Sequence, residues 1–181
     1  ECVTDGCFKF DGVDDYIDCG NDKSLDMVDA ITISSWANIF NPNDDMYRWI
    51  VRKGWGDASF FFGKNIYGKI VLVINNKSNI YLSTTAPNAL LGWHHYVGTY
   101  DKNIGKIKIF IDGRDTEWEF LLSEKINTNT SIMAISGHPL GSSGQYFEGL
   151  IDDIRLYNAT LSQSQIKQNY IAGLNSMLSN G

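Results

Sequence analysis

The chain has 181 residues, 43% of them hydrophobic and 13% aromatic, and a formal net charge of −6. That length fits one domain, residues 1–181, able to bury roughly 70% of its extended-chain surface, and the composition is that of a globular protein. The acidic balance argues against a nucleic-acid partner, which would need clustered Lys and Arg, and no run approaches the roughly 18–20 apolar residues of a membrane span, so no membrane insertion is expected.

The chain starts at Glu1 without an initiator Met or a signal peptide, which reads as a processed product or an excised fragment. Its three cysteines, Cys2, Cys7 and Cys19, all fall in the first 19 residues. Cys2 and Cys7 flank a Thr4-Asp5-Gly6 turn that would bring them within disulfide range. Pairing of either one with Cys19 stays open. A disulfide would place the protein in an oxidising, extracellular setting.

Short alternating runs cut by Gly, Asn and Asp then follow one another. Phe8–Phe10 and Tyr16–Cys19 are short strands around an Asp11-Gly12 turn. Ala30–Ala37 is rich in β-branched residues and sets Ile31 and Ile33 on the face opposite Trp36. Trp49–Arg52, Ser59–Phe62, Lys69–Ile74 and Ile80–Ser83 read as strands, the last two joined by a hairpin through Asn75-Asn76-Lys77. Trp93–Tyr100, Lys106–Ile111 and Arg114–Phe120 continue the series, with Asp112-Gly113 as a strong hairpin signal. Ile132–Ser136 and Gly149–Tyr157 complete it. At least ten strands without a βαβ rhythm indicate an all-β, antiparallel two-sheet sandwich. One short C-terminal helix is expected over 162–178: Ser162 and Gln165 form a capping box, and Ile166, Tyr170, Leu174 and Leu178 recur every four residues. Gly173 interrupts it at a cost of about 1 kcal/mol relative to Ala, which would end the helix near Ala172 or kink it.

Four segments in order, Phe8–Ile17, Ile31–Trp36, Trp93–Asp101 and Gly149–Asn158, together with the strand and Asp-Gly turn of Lys106–Gly113, resemble the laminin-G-like jelly-roll domains of the concanavalin A-like lectin/glucanase superfamily. The resemblance runs from Phe8 to Tyr170 and implies a jelly roll of one concave and one convex sheet. It also implies a non-catalytic carbohydrate-binding or adhesion module of a secreted or surface protein, with a glycan or cell-surface polymer as partner. The tail Asn169–Asn175 is similar to the ends of microbial surface and pilin-like proteins, and the apolar C-terminal helix with the start at Glu1 makes a structural or self-associating filament subunit the alternative.

Asp11, Asp14 and Asp15 crowd a Gly-containing turn, and Asp152 and Asp153 lie near the last strand. Ca²⁺ takes about six to eight oxygens, commonly from such turns. By the family resemblance Asp11 and Asp153 are the leading ligands of a structural calcium, with Gly12 or Asp14 adding an oxygen; ordinary turn preference explains the same residues without a metal.

Tyr47, Trp49, Trp55 and Trp118 stand among polar residues, unlike Trp36 and Trp93, whose strand context is that of a core. Exposed aromatics with neighbouring polar groups suit sugar rings, so Trp55, Asp57 and Tyr47, then Trp118, Tyr146 and Trp49, are the candidate ligand residues, against ordinary packing under loops. A glycoside hydrolase is the third reading. It needs two carboxylates about 5–9.5 Å apart, and only Glu117 and Glu119, around Trp118, offer a pair on one strand.

Overall fold

In β3 (Ala30–Ile39) the residues Ile31, Ile33, Ala37 and Ile39 enter the interior while Thr32, Ser34 and Trp36 turn the other way, the period of two that a strand covered on both faces by different partners requires. The computed structural model describes residues 2–54, 58–75, 81–83, 88–137 and 145–180, which form twelve strands and one α-helix.

With strands numbered along the chain, the first sheet runs β1 (Phe8–Asp11), β12 (Glu148–Tyr157), β3, β8 (Trp93–Asp101), β9 (Lys106–Ile111) and β10 (Arg114–Leu121). The second runs β2 (Tyr16–Asp18), β11 (Met133–Ser136), β4 (Arg48–Lys53), β5 (Phe60–Lys64), β6 (Ile70–Asn75) and β7 (Tyr81–Ser83). Every neighbouring pair is antiparallel. The all-β jelly-roll sandwich read from the sequence is the observed architecture. Its interior is filled from both layers by Phe10, Ile33, Tyr96 and Ile109 of the first sheet and by Phe60, Phe62 and Leu72 of the second.

The helix α1 (Gln163–Asn180) opens on the expected capping box: Ser162 N–H donates to Gln165 Oε1 at 2.9 Å and Gln165 N–H to Ser162 Oγ at 3.4 Å. It neither stops nor breaks at Gly173. The helix lies on the outer face of the first sheet, where Ile166 joins Val97 and Phe110 and where Tyr170 stacks on Trp36 with centroids 5.5 Å apart. Its apolar stripe is therefore consumed by the sheet it covers; of the four-residue series only Leu178 stays exposed. No helix among the described residues is long and apolar enough to cross a membrane.

Cys2 and Cys7 form the disulfide, with Cα atoms 5.4 Å apart, and Cys19 is a free, half-buried thiol raised by burial first and by nearby Asp18 second. The N-terminal segment is fastened to the last strand by Asp152, whose Oδ2 accepts from Thr4 N–H at 2.7 Å and whose Oδ1 accepts from Thr4 Oγ1 at 2.8 Å.

Candidate functional site

The second sheet is buried on both faces along β4, β5 and β6. Alternation sends Phe60 and Phe62 into the sandwich and Phe61, Val71 and Val73 outward, where they form a separate apolar cluster with Trp49 and Ala58. Strict alternation would put Trp49 and Arg52, three positions apart, on opposite faces. The register shift between Trp49 and Val51 brings both to Phe61: the Trp49 ring lies 5.1 Å from it, and the Arg52 guanidinium sits 4.4 Å above its centroid. Gly63 permits this bulge, because a Cβ there would stand 2.2 Å from the Arg48 carbonyl oxygen.

Tyr47 stacks on Trp49, centroids 5.2 Å apart and planes 16° from parallel. Tyr47 is 37% exposed and Trp49 only 4%, so Tyr47 is the solvent-facing plate of a ladder that descends through Trp49 to Phe61. Gln145 Oε1 accepts from Trp49 Nε1 at 3.3 Å and from Arg52 Nη1 at 3.2 Å, fixing the polar end of the ladder. On β6 the alternation of Val71 and Val73 sets Asn75 on the same face, buried, with neither amide atom partnered. An unpartnered buried amide costs about 1–3 kcal/mol and calls for an explanation such as a bound group.

Of the expected ligand residues, Tyr47 and Trp49 are thus brought together, while Trp55 and Asp57 lie outside the described residues. Tyr146 is buried with its ring over Gly137, whose Cβ would stand 2.1 Å from it; it packs rather than offering a rim face. Trp118 is 55% exposed on β10, the outermost strand of the other sheet, and shares no surface with Tyr47. Phe61, Arg52 and Gln145 are the members that the sequence reading did not name.

The expected metal ligands separate as well. Asp11, Asp14 and Asp15 are exposed, with carboxylate oxygens within 4.8 Å of one another. Asp153 is not with them. Asp11 pairs with Glu148, and Asp153 lies five positions further along β12, about 16 Å at strand spacing, with its carboxylate held by Arg155 Nε at 2.8 Å. The donor set fits a hard cation only at the turn itself. There Asp11 Oδ1 accepts from Val13 N–H at 2.8 Å, Asp15 Oδ2 from Asp11 N–H at 3.1 Å, and the Gly12 carbonyl from Arg48 Nη1 at 3.4 Å.

Arg48 links the first turn to the start of the last strand. Buried at the end of the sandwich, it donates to Asp44 Oδ2 through Nη2 at 2.6 Å, to Glu148 Oε2 at 2.9 Å and to the Tyr146 carbonyl at 3.0 Å. Lys64, opposite it on β5, is also buried and donates to the Asp44 carbonyl at 2.8 Å and to Asp44 Oδ1. Burial alone would raise the Asp44 carboxyl; hydrogen bonds from Lys64 and Arg48 outweigh it and hold the group below the usual carboxylate range.

No paired carboxylates suited to glycoside hydrolysis are assembled on β10. Glu117 takes a positive φ of 63° at a bulge, and Glu119 is bonded to Lys106 Nζ at 2.8 and 2.9 Å. His95, beneath α1, is 1% exposed; its Nε2 meets Ser34 Oγ at 2.8 Å and its Nδ1 has no partner, a structural histidine only half satisfied.

The family model described as the concanavalin A-like lectin/glucanases superfamily matches residues 11–167. No curated protein matches the sequence. Among solved structures, domain 4 of AbnA, a GH43 extracellular arabinanase from Geobacillus stearothermophilus, in complex with arabinotriose, superposes with a TM-score of 0.69 at 16% identity, over 90% of this chain and 75% of that one. The binding domain of botulinum neurotoxin DC in complex with SialylT gives 0.69 at 14% identity, over 87% and 39%. The binding domain of paraclostridial mosquitocidal protein 1 gives 0.71 at 15% identity, over 97% and 47%. The chain spans less than half the length of these two toxin domains. At such identities the likeness is one of fold.

Proposed function

The chain belongs to the concanavalin A-like lectin/glucanases superfamily, and from that premise we propose that it is a non-catalytic carbohydrate-binding module of an extracellular protein, taking a glycan on the outer face of its second sheet. The observation that carries the reading is the Tyr47–Trp49 stack, a half-exposed aromatic plate over a buried one, with the half-buried Gln145 amide at its polar end. A sugar ring would lie against Tyr47, with the half-buried Gln145 amide at hand for its hydroxyls. Arabinotriose in the arabinanase domain and SialylT in the neurotoxin domain support a glycan ligand. The disulfide supports an extracellular setting.

The test is calorimetric titration with arabinotriose and a sialylated oligosaccharide, preceded by a glycan array. Tyr47→Ala should weaken the best ligand about tenfold, the order of an aromatic stacking contribution, with the melting temperature unchanged. An array without a hit, or full affinity in Tyr47→Ala, would overturn the reading.

We also propose calcium in a reduced form: a cation at Asp11, Asp14 and Asp15 alone, bracing the turn between β1 and β2 and not the two chain ends. Three hard carboxylate oxygen donors suit Ca²⁺, whose remaining positions water would fill.

A further inference from the structure

A cleft of about 550 Å³ opens on the opposite side of the sandwich from Tyr47, between the β9–β10 hairpin and the first half of α1. Its size falls within the roughly 300–1,000 Å³ of small-molecule sites. The hairpin tip is pressed on the helix. Asp112 and Gly113 both take positive φ, 51° and 72°, and a Cβ on Gly113 would stand 3.2 Å from the Lys167 Cα and 3.3 Å from the Tyr170 Cβ. This contact places Arg114, the next residue, beside Lys167 at the mouth.

The charges in the cleft are unequally committed. Asp112, its one acid, is spent: Oδ2 meets His94 Nδ1 at 2.8 Å and Oδ1 accepts from His95 N–H at 3.0 Å. The Arg114 and Lys167 side chains have no hydrogen bond or ion pair among the described residues. Neither has the Gln163 side chain at the same mouth. The first turn of α1 carries no acidic residue to offset its positive end. Ile111 and Ile171 give the walls an apolar strip. In a chain of net charge −6, two unpartnered cations lining one concavity mark a place suited to receive negative charge.

We propose that this cleft is a second binding site, independent of the Tyr47 surface, for an acidic sugar of the uronate class. The Arg114 fork matches a carboxylate in bidentate fashion and Lys167 adds a point charge. Gln163 offers an amide to ring hydroxyls, and Ile111 and Ile171 meet the C–H face. A neutral sugar would leave both cations unpaired, so the site discriminates by charge.

The experiment titrates the full chain with glucuronate and trigalacturonate, against glucose, sodium acetate and sodium sulfate, at 20 and 200 mM NaCl, with amide chemical shifts as a second readout. The expected result is uronate binding at least tenfold tighter than glucose, weakened by salt and shifting the amides of Gly113, Arg114 and Lys167. It should be lost in the Arg114→Gln/Lys167→Gln variant and unchanged in Tyr47→Ala. Equal binding of glucose, equal binding of acetate or sulfate, or uronate binding that survives the double substitution would each overturn the proposal. Because both substituted side chains are exposed, folding is unaffected, and a failure here leaves the Tyr47 site standing.

Discussion

Gly173 of α1 backs onto the indole of Trp36 so closely that a Cβ would stand 2.2 Å from Nε1 and 2.7 Å from Cε2. The glycine that weakens the helix locally is what lets the helix reach the sheet. Gly173→Ala gains about 1 kcal/mol of helix propensity and loses about 1–3 kcal/mol to overpacking a rigid ring. The net result should be a lower melting temperature by scanning calorimetry. A rise would mean that α1 is free to lift off Trp36.

Arg48 and Glu148 join the two sheets at the buried end of the sandwich. Arg48→Met removes the cation that Asp44 and Glu148 share, while Lys64 still holds Asp44 and Asn41 still donates to Glu148, so the loss should fall below the about 3–5 kcal/mol of a fully broken buried pair. The urea midpoint should fall with the slope unchanged. A loss below about 1 kcal/mol would show that water reaches this network and screens it.

The architecture was legible because Ile31, Ile33 and Trp36 alternate and because Asp112-Gly113 is a turn of unmistakable chemistry, both local signals. The proposed ligand face was legible only in Tyr47 and Trp49. Arg52 escaped because its arrival beside Phe61 depends on a bulge in β4, and nothing in Trp49-Ile50-Val51-Arg52 announces one. Asp153 misled for a related reason: which acid of a last strand meets the first turn is a matter of register, and the register places Glu148 there. Asp152 does fasten the N-terminus, through hydrogen bonds to Thr4.

Two adjacent histidines set opposite pH dependences. Burial pushes His95 down to about 4, against about 6.5 in an unfolded chain, so between those values the unfolded state takes up a proton that the fold refuses. Stability therefore falls as pH drops from 6.5 to 4, by about 3 kcal/mol over the whole window. His94 is raised by its hydrogen bond to Asp112; its contribution is full below 6.5 and is lost as pH climbs through the raised value. Thermal melts should peak near neutrality, and His95→Gln should flatten the acid side between pH 5 and 6.5, above the carboxylate range. An unchanged slope there would place the acid sensitivity elsewhere.

The reduced calcium site makes a graded prediction. A ligand that binds only the folded chain stabilises it by about 2.7 kcal/mol at a hundred times its dissociation constant. Millimolar Ca²⁺ should raise the melting temperature of the chelated protein, Asp14→Asn should diminish the response, and Asp153→Asn should leave it intact because Asp153 belongs to Arg155. A response lost in Asp153→Asn and kept in Asp14→Asn would restore the two-ended site.

Trp118 and Tyr47 separate the two surfaces on which a glycan could stack. Both expose an aromatic face, but they belong to different sheets, and only Tyr47 is backed by a second ring with polar groups at hand. Trp118 stands on an edge strand beside exposed Phe120 and Leu121. Its immediate polar neighbours Glu117 and Glu119 are a bulge residue and a partner of Lys106. Removing the Trp118 ring should therefore leave glycan affinity within twofold of the parent, a change below about 0.5 kcal/mol, where Tyr47→Ala loses tenfold. Side-by-side titrations of the two variants with the best array ligand check this. If the Trp118 variant is the one that fails, the glycan belongs on β10, and the ladder of Tyr47, Trp49 and Phe61 is packing alone.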